Sequence, residues 1–266
     1  LAEIISRSGI PAGVFNLVMG RGSVIGDPLV NHPGINAISF TGSQGVGARI
    51  AQQCAANLKK VQLEMGGKNP QIILDDADLA QAVELSVQSA FFSTGQRCTA
   101  SSRLIVTDGI YGKFVEAVQA RMATLKIGDA LAAGIDIGPV SSLSQLQQDL
   151  DYVAIGQAEG AQLAAGGTCL ERSTEGFYMA PALLLDTTSA MRINREEVFG
   201  PVASVIRVKD YEAALAESNN TPFGLSAGIA TTSLKYATHF KRHSQAGMVM
   251  VNLPTAGVDY HVPFGG

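Results

Sequence analysis

Short apolar runs alternate with amphipathic stretches along almost the whole chain, and that rhythm limits the fold more than any other feature. Residues 14–18, 35–40, 61–63, 71–74, 103–106, 180–185, 202–208 and 247–251 read as strands. Between them, apolar residues return at helical spacing. One helix ends near Gly9, and others are expected over about 46–57, 78–92, 111–124, 144–159 and 232–242. Val46, Ile50, Ala51 and Cys54 form the stripe of the second helix, and Asp78 is placed to cap the third. Strands separated by helices predict an α/β fold with a largely parallel sheet. The alternation stops at the paired glycines Gly66 and Gly67 and then begins again. A domain boundary is expected there, with residues 1–66 on one side and 67–266 on the other.

Composition removes several classes of function. With 46% hydrophobic and 16% charged residues, the chain is an ordinary globular one and not disordered, collagenous or coiled-coil. Its 19 basic and 23 acidic residues give a net charge of −4 and form no basic stripe, so nucleic acid is not an expected partner. Runs such as residues 248–251 and 183–185 are far too short to cross a bilayer. Cys54, Cys98 and Cys169 are widely spaced without a C-x-x-C pair, which fits neither a zinc site nor a disulfide framework but does fit a reducing, cytoplasmic setting. His239 and His243 stand four apart with no third ligand in sequence reach, so no metal is expected. Residues 1–5 read as the middle of a helix and the chain stops in a loop, so truncation at both ends is expected.

Four segments carry chemistry. Phe40-Thr41-Gly42-Ser43-Gln44-Gly45-Val46-Gly47 is a glycine-containing turn from strand to helix, where backbone amides suit a pyrophosphate. Its glycines depart from G-x-G-x-x-G spacing, and alone such a turn is more often a plain strand-to-helix connection. Leu63-Glu64-Met65-Gly66-Gly67-Lys68-Asn69-Pro70 sets a carboxylate at the C-terminal end of a strand, where α/β folds bind ligands. Phe91-Phe92-Ser93-Thr94-Gly95-Gln96-Arg97-Cys98-Thr99 holds a cysteine in a polar loop, where a thiol can act as a nucleophile. Glu196-Glu197-Val198-Phe199-Gly200-Pro201 pairs two acids before a Gly-Pro stop, which alone could be an exposed helix end.

Together and in this order, the four segments resemble the aldehyde dehydrogenase superfamily over essentially the whole chain. The resemblance implies a Rossmann-like cofactor domain, of which residues 1–66 would be the C-terminal part, followed by an α/β catalytic domain over 67–266. It implies that Cys98 is the nucleophile and Glu64 the general base, with NAD or NADP as cofactor. Thr41, Gly42, Ser43 and Gly47 match the pyrophosphate turn. Glu197 matches the acid that holds the nicotinamide ribose, with Phe199 beside the ring. The oxyanion would be met by the Cys98 backbone N–H and by an asparagine that lies upstream of Leu1. A small aldehyde is the implied substrate, and a homodimer or homotetramer the implied assembly of the full-length protein.

Residues 247–266 and the Gln96–Arg103 context look like the branch that oxidises α-ketoglutaric semialdehyde (2,5-dioxopentanoate). Succinic or glutaric semialdehyde, or another small aldehyde, is the alternative. Arg97, Thr99 and the hydroxyls and amides of residues 252–255 are the expected donors to a substrate carboxylate. Two rival classes are an acylating enzyme, which would not need a base at Glu64, and a noncatalytic binding protein, which would be expected to lose Cys98 or Glu64.

Overall fold

The computed structural model describes residues 1–257 and 260–266. It contains two compact units, Leu1–Met65 and Gly66–Gly266. In the first, α1 (Ala2–Arg7) and α2 (Gly22–Asn31) precede the parallel strands β1 (Ala37–Gly42) and β2 (Lys60–Met65), which are joined through α3 (Gln44–Ala56). Val30, Ile50 and a fully buried Cys54 pack with Ile38, Phe40 and Leu63, so Ile50 and Cys54 of the predicted α3 stripe face the strands while Val46 is exposed.

Residues 14–18 are not the strand that their apolar run predicts; they lie exposed without ladder bonds. A strand needs a neighbour to satisfy its backbone, and among the described residues the sheet of this unit consists of β1 and β2. The reverse case is α2, which the sequence analysis did not anticipate. Gly22, Gly26 and Pro28 are poor helix formers, and Val30 is its buried residue.

The second unit runs β3 (Asn69–Ile73), α4 (Leu79–Phe91), a 3-10 turn (Phe92–Gly95), β4 (Ser101–Thr107), α5 (Asp108–Ala123), α6 (Leu143–Ala158), β5 (Gln162–Ala165), β6 (Cys169–Leu170), β7 (Tyr178–Met179), β8 (Ala182–Leu185), α7 (Arg192–Arg195), β9 (Val202–Val208), α8 (Tyr211–Asn219), β10 (Ser226–Ala230), α9 (Leu234–His243) and β11 (Met248–Val251). Seven strands form one sheet in the order β11-β10-β3-β4-β9-β8-β5, parallel except for β5. Successive side chains leave a strand on opposite faces. Accordingly Ile73, Leu104, Val106 and Val205 pack with Phe91, Phe114 and Val118 of α4 and α5. Their neighbours Ile72, Ile105, Ile206 and Ile229 pack with Tyr211, Ala214 and Phe240 of α8 and α9.

Asp78 caps α4 as expected, its side chain accepting from the Gln81 N–H. The strands and helices α8 and β10 fall outside the sequence expectations, although β10 sits between β11 and β3. Among the described residues no helix is long and apolar enough to cross a membrane. Val258 and Asp259, part of the stretch that carried the substrate resemblance, lie outside the described residues.

Candidate active site

In the first unit, the register of the two strands sets Thr41 opposite Glu64 and Gly42 opposite Met65, at the C-terminal edge of the ladder. The turn expected to hold a pyrophosphate and the expected base therefore lie side by side. Ser43 caps α3 with extended backbone but spends its hydroxyl on no capping bond. That hydroxyl and the first-turn amides of α3 are thus offered to an anion. Gly42 and Gly47 lie against neighbouring side chains: a Cβ at Gly42 would lie 2.5 Å from the Phe40 ring, and one at Gly47 would meet the Met65 sulfur.

In the second unit the candidate residues occupy the loops that enter strands. Asn69 opens β3, the Cys98 turn precedes β4, residues 196–201 precede β9, and Ser226 opens β10. The approach to Cys98 is built from three successive residues in the left-handed region, Ser93 (φ 54°), Thr94 (φ 59°) and Gly95 (φ 64°). A β-branched residue is seldom found there. Thr94 is buried, and its hydroxyl donates to the Gly138 carbonyl at 3.2 Å. Gln96 accepts from the Ser141 N–H at 3.0 Å, and a turn closed by the Ala100 N–H on the Arg97 carbonyl (3.0 Å) presents Cys98 half-buried.

The backbone of that turn is held by Asn69, which the sequence analysis quoted without assigning it a role. Its buried side-chain amide donates to the Cys98 carbonyl at 2.8 Å and to the Ala100 carbonyl at 2.9 Å. Its oxygen accepts from the Ser226 N–H at 3.1 Å. One side chain therefore satisfies three backbone groups of two loops. Thr255 adds a second tie: its hydroxyl donates to the Thr99 carbonyl at 2.8 Å and lies 2.7 Å from the Ser101 hydroxyl.

For Asn252 and Thr255 these bonds correct the expectation of donors to a substrate carboxylate. Thr255 is fully buried in the ties just described. Asn252 donates to the Thr231 carbonyl and accepts from its N–H, at 2.9 and 3.0 Å. Thr99 is buried, and Arg97 donates to the Gln88 carbonyl of α4. Polar type suggested Asn252 and Thr255; the backbone groups that claim them are those of Thr231 and Thr99.

The two adjacent acids have opposite fates. Glu196 receives two hydrogen bonds from Arg192, at 2.9 Å each, and one from the Tyr152 hydroxyl at 2.6 Å. Those donors hold its carboxyl down at about 2. Glu197 instead turns toward Gly66 and Gly67: a Cβ at Gly66 would fall 1.7 Å from its Oε1, and the Gly67 N–H donates to it. Partial burial raises its carboxyl above the ordinary value, opposed by that N–H and by Lys68. Lys68 is itself fully buried, and desolvation, aided by Arg103, takes its ammonium down to about 7. Phe199 follows, 39% exposed and at φ 60°.

Behind this loop stands Asp149 of α6, so close to Gly200 that a Cβ there would lie 2.1 Å from its Oδ1. Burial raises the Asp149 carboxyl to about 7, against the hydrogen bond from Gln145. His239 and His243 sit elsewhere and are engaged, the first with the Tyr211 hydroxyl at 2.7 Å and the second with the His239 carbonyl at 2.8 Å.

A sequence model of the aldehyde dehydrogenase family matches residues 1–266. The chain belongs to that family. An α-ketoglutaric semialdehyde dehydrogenase of Bacillus subtilis is 47% identical to it over 100% of this chain and 55% of its own length. A 2,5-dioxopentanoate dehydrogenase of Saccharolobus solfataricus is 39% identical, again over 100% of this chain and 55% of its own. Betaine aldehyde dehydrogenase of Staphylococcus aureus, solved with NAD+, superposes with a TM-score of 0.95 at 33% identity, over 99% of this chain and 53% of that one. Lactaldehyde dehydrogenase of Escherichia coli gives 0.92 at 36% identity, over 97% and 54%. The chain spans about half the length of the curated relatives it matches, and its architecture is the aldehyde dehydrogenase fold.

Two predictions come from this geometry. Asn69→Ala removes a partner from three backbone groups and should cost roughly 2–4 kcal/mol of stability. Asn69→Asp, which faces the Cys98 and Ala100 carbonyls with a second acceptor, should cost more. Denaturant unfolding of both variants checks the order, and a milder Asn69→Asp would mean that donation from Asn69 does not hold the turn. The second concerns Asp149. Because its folded carboxyl titrates above the ordinary value of 3.8, its ionisation opposes folding progressively as pH rises from there toward about 7. The melting temperature of Asp149→Asn should therefore gain on wild type across that window and keep a constant lead above it. A lead that is flat with pH would contradict the raised carboxyl.

Proposed function

We propose that this chain carries the nucleophile, Cys98, and the general base, Glu64, of an NAD(P)-dependent, non-acylating aldehyde dehydrogenase. We assign residues 1–66 to the C-terminal part of its cofactor domain and 67–266 to its catalytic domain. The observation that carries this reading is the Cys98 turn, which presents the thiol half-buried while Asn69 pins the carbonyls of Cys98 and Ala100. A structural cysteine needs no such scaffold.

The chain's other residues fit a nicotinamide dinucleotide. The uncapped Ser43 hydroxyl and the amides at the start of α3 suit its pyrophosphate, with Thr41, Gly42 and Gly47 shaping the turn. Glu197, freed of the partners that occupy Glu196, suits the ribose hydroxyls, and Phe199 the ring beside them. When bound, the nicotinamide supplies a hydride acceptor.

Chemistry at the thiol follows from what an aldehyde requires. Its hydrogen leaves as hydride only from a tetrahedral carbon, so the Cys98 thiolate first adds to the carbonyl; a C–S bond forms and the π pair moves to oxygen. The Cys98 backbone N–H is the chain's own donor to that oxyanion. Once oxidised, the carbon is a thioester on Cys98. Glu64 takes a proton from water, the water oxygen adds to the thioester carbon, and the C–S bond breaks to return the thiolate and release a carboxylate. Glu64 favours this hydrolytic ending over transfer to coenzyme A, and the presence of both Cys98 and Glu64 favours an enzyme over a noncatalytic binding protein.

For substrate, the reading is α-ketoglutaric semialdehyde, supported by the names of relatives 47%, 40% and 39% identical to this chain. Succinic or glutaric semialdehyde is the alternative within the same class. For assembly, the full-length protein is read as a homodimer or homotetramer, and its setting as cytoplasmic.

In the full-length enzyme, Cys98→Ala should abolish oxidation while cofactor still binds. Glu64→Gln should release one equivalent of reduced cofactor in a burst and then stall. Steady turnover by the glutamine variant at the wild-type rate would mean that another group activates the water. The substrate reading is checked by comparing kcat/KM for α-ketoglutaric semialdehyde, succinic semialdehyde and butyraldehyde. Replacing the hydration of a carboxylate should favour the acids by roughly 30- to 1000-fold. Equal values for butyraldehyde would remove the carboxylate pocket, and a clear lead for succinic semialdehyde would move the substrate to the alternative.

A further inference from the structure

Helix α9 buries Phe240 and carries two histidines on the outside. His239 and His243 are both exposed and stand four apart, so one side chain lies above the other on the helix surface. Their rings stack, with centroids 3.8 Å apart and planes 11° from parallel. Each ring is fixed through Nδ1. That atom of His243 lies 2.8 Å from the His239 carbonyl, and that of His239 lies 2.7 Å from the Tyr211 hydroxyl of α8. Tyr211 also meets the His239 ring edge-on, at 5.6 Å between centroids. Among the described residues, Nε2 of neither ring is engaged. A carbonyl only accepts, so Nδ1 of His243 carries a proton and Nε2 of the neutral ring bears the lone pair. Tyr211 can accept from Nδ1 of His239 and set the same tautomer there.

One ring nitrogen tied to a carbonyl or hydroxyl, with the other left basic, is the arrangement by which a histidine is oriented toward a metal. Two such rings four residues apart on one helix can bind a single ion. We propose that His239 and His243 form a surface site for one divalent transition-metal ion of the class that imidazole suits, Cu2+, Ni2+ or Zn2+. Among the described residues no group of three His, Cys, Asp or Glu side chains forms a closed cage, so water completes the coordination. The site lies in the last turns of α9, where the unpaired carbonyls of the helix end favour a cation. Lys241 and Arg242 of the same turn oppose one, but both are exposed and screened by salt, whereas the two Nε2 bonds are direct. The stacked rings are already side by side before the ion arrives, so little ordering is charged against binding. An ion held there bridges successive turns and staples the end of α9 that leads into β11. The proposal is independent of the chemistry read at Cys98.

The test titrates Ni2+ chloride into the full-length enzyme, its accessible thiols first blocked with iodoacetamide, and compares wild type with H239Q and H243Q. Both positions are exposed and glutamine is a good helix former, so both variants should melt within a few degrees of wild type in the absence of metal. Calorimetry should show one Ni2+ site per chain in wild type that is lost, or weakened by roughly tenfold or more, in each variant alike, since even an outer partner of a ligand is worth that much. Mn2+, which prefers oxygen ligands, should bind this site about tenfold more weakly than Ni2+ or less tightly still. In wild type alone, saturating Ni2+ should slow amide hydrogen exchange severalfold at Ser244, whose N–H closes the last turn on the Phe240 carbonyl. Ni2+ binding that survives intact in H239Q or in H243Q would belong to other groups and overturn the proposal. So would a wild type that binds Ni2+ no better than the variants, or one whose Ser244 amide exchanges at the same rate with and without the ion.

Discussion

The buried amide of Asn69 is the interaction on which the loops of the larger unit depend. The segments that enter β4 and β10, the strands on either side of β3, leave backbone groups beyond the ladder that the sheet does not satisfy. Asn69 meets three of them at once, the carbonyls of Cys98 and Ala100 and the N–H of Ser226. A group buried to this depth cannot fall back on water, so the alternative to the native arrangement is an unpaired donor or acceptor. That asymmetry fixes the loops more firmly than the modest net strength of each bond would suggest. Thr255 repeats the device from the far end of the unit, through the Thr99 carbonyl and the Ser101 hydroxyl.

Charge is handled by the same economy of partners. Glu196 and Glu197 are adjacent and chemically alike, yet Arg192 and Tyr152 take the first completely while the second receives a single backbone N–H and partial burial. The direction of each carboxyl's shift follows from that difference alone. The ion-paired acid is held deprotonated, and the freed one is left partly desolvated and short of donors, which is the state in which a carboxylate binds a pair of hydroxyls well.

Much of this was legible in the sequence because its signals are local. The apolar run at residues 202–208 became β9 and the stripe over 46–57 became α3. Asp78 capped α4 because a cap needs only its own helix. What escaped depends on distant partners. The run at residues 14–18 has the apolar character of a short strand but no neighbour to pair with among the described residues. Strand β10, Ser226–Ala230, is the reverse: serine, two alanines and a glycine carry little β propensity, and it is a strand because β3 and β11 flank it. In the larger unit, the residue types of Cys98 and Glu197 suggest chemistry from sequence alone, whereas Asn69, Gln145 and Gln148 act on carbonyls far away in the chain. Nothing in their local spacing marks those targets. The same blindness made Asn252 and Thr255 look available for substrate when backbone groups had already claimed them.

In Gly66–Gly266 the site residues gather in loops at the entrance to the strands, while Ile72, Ile105, Ile206 and Ile229 fill the ladder itself. Stability and chemistry are therefore written in separate registers of the sequence. Substitutions that conserve volume at these apolar ladder positions meet helices on either face and not the loops. Such a sheet can drift in sequence through a lineage while its entrances stay fixed. It can equally be repacked for heat resistance without retuning the thiol, a freedom denied to folds whose reactive groups project from the middle of their strands.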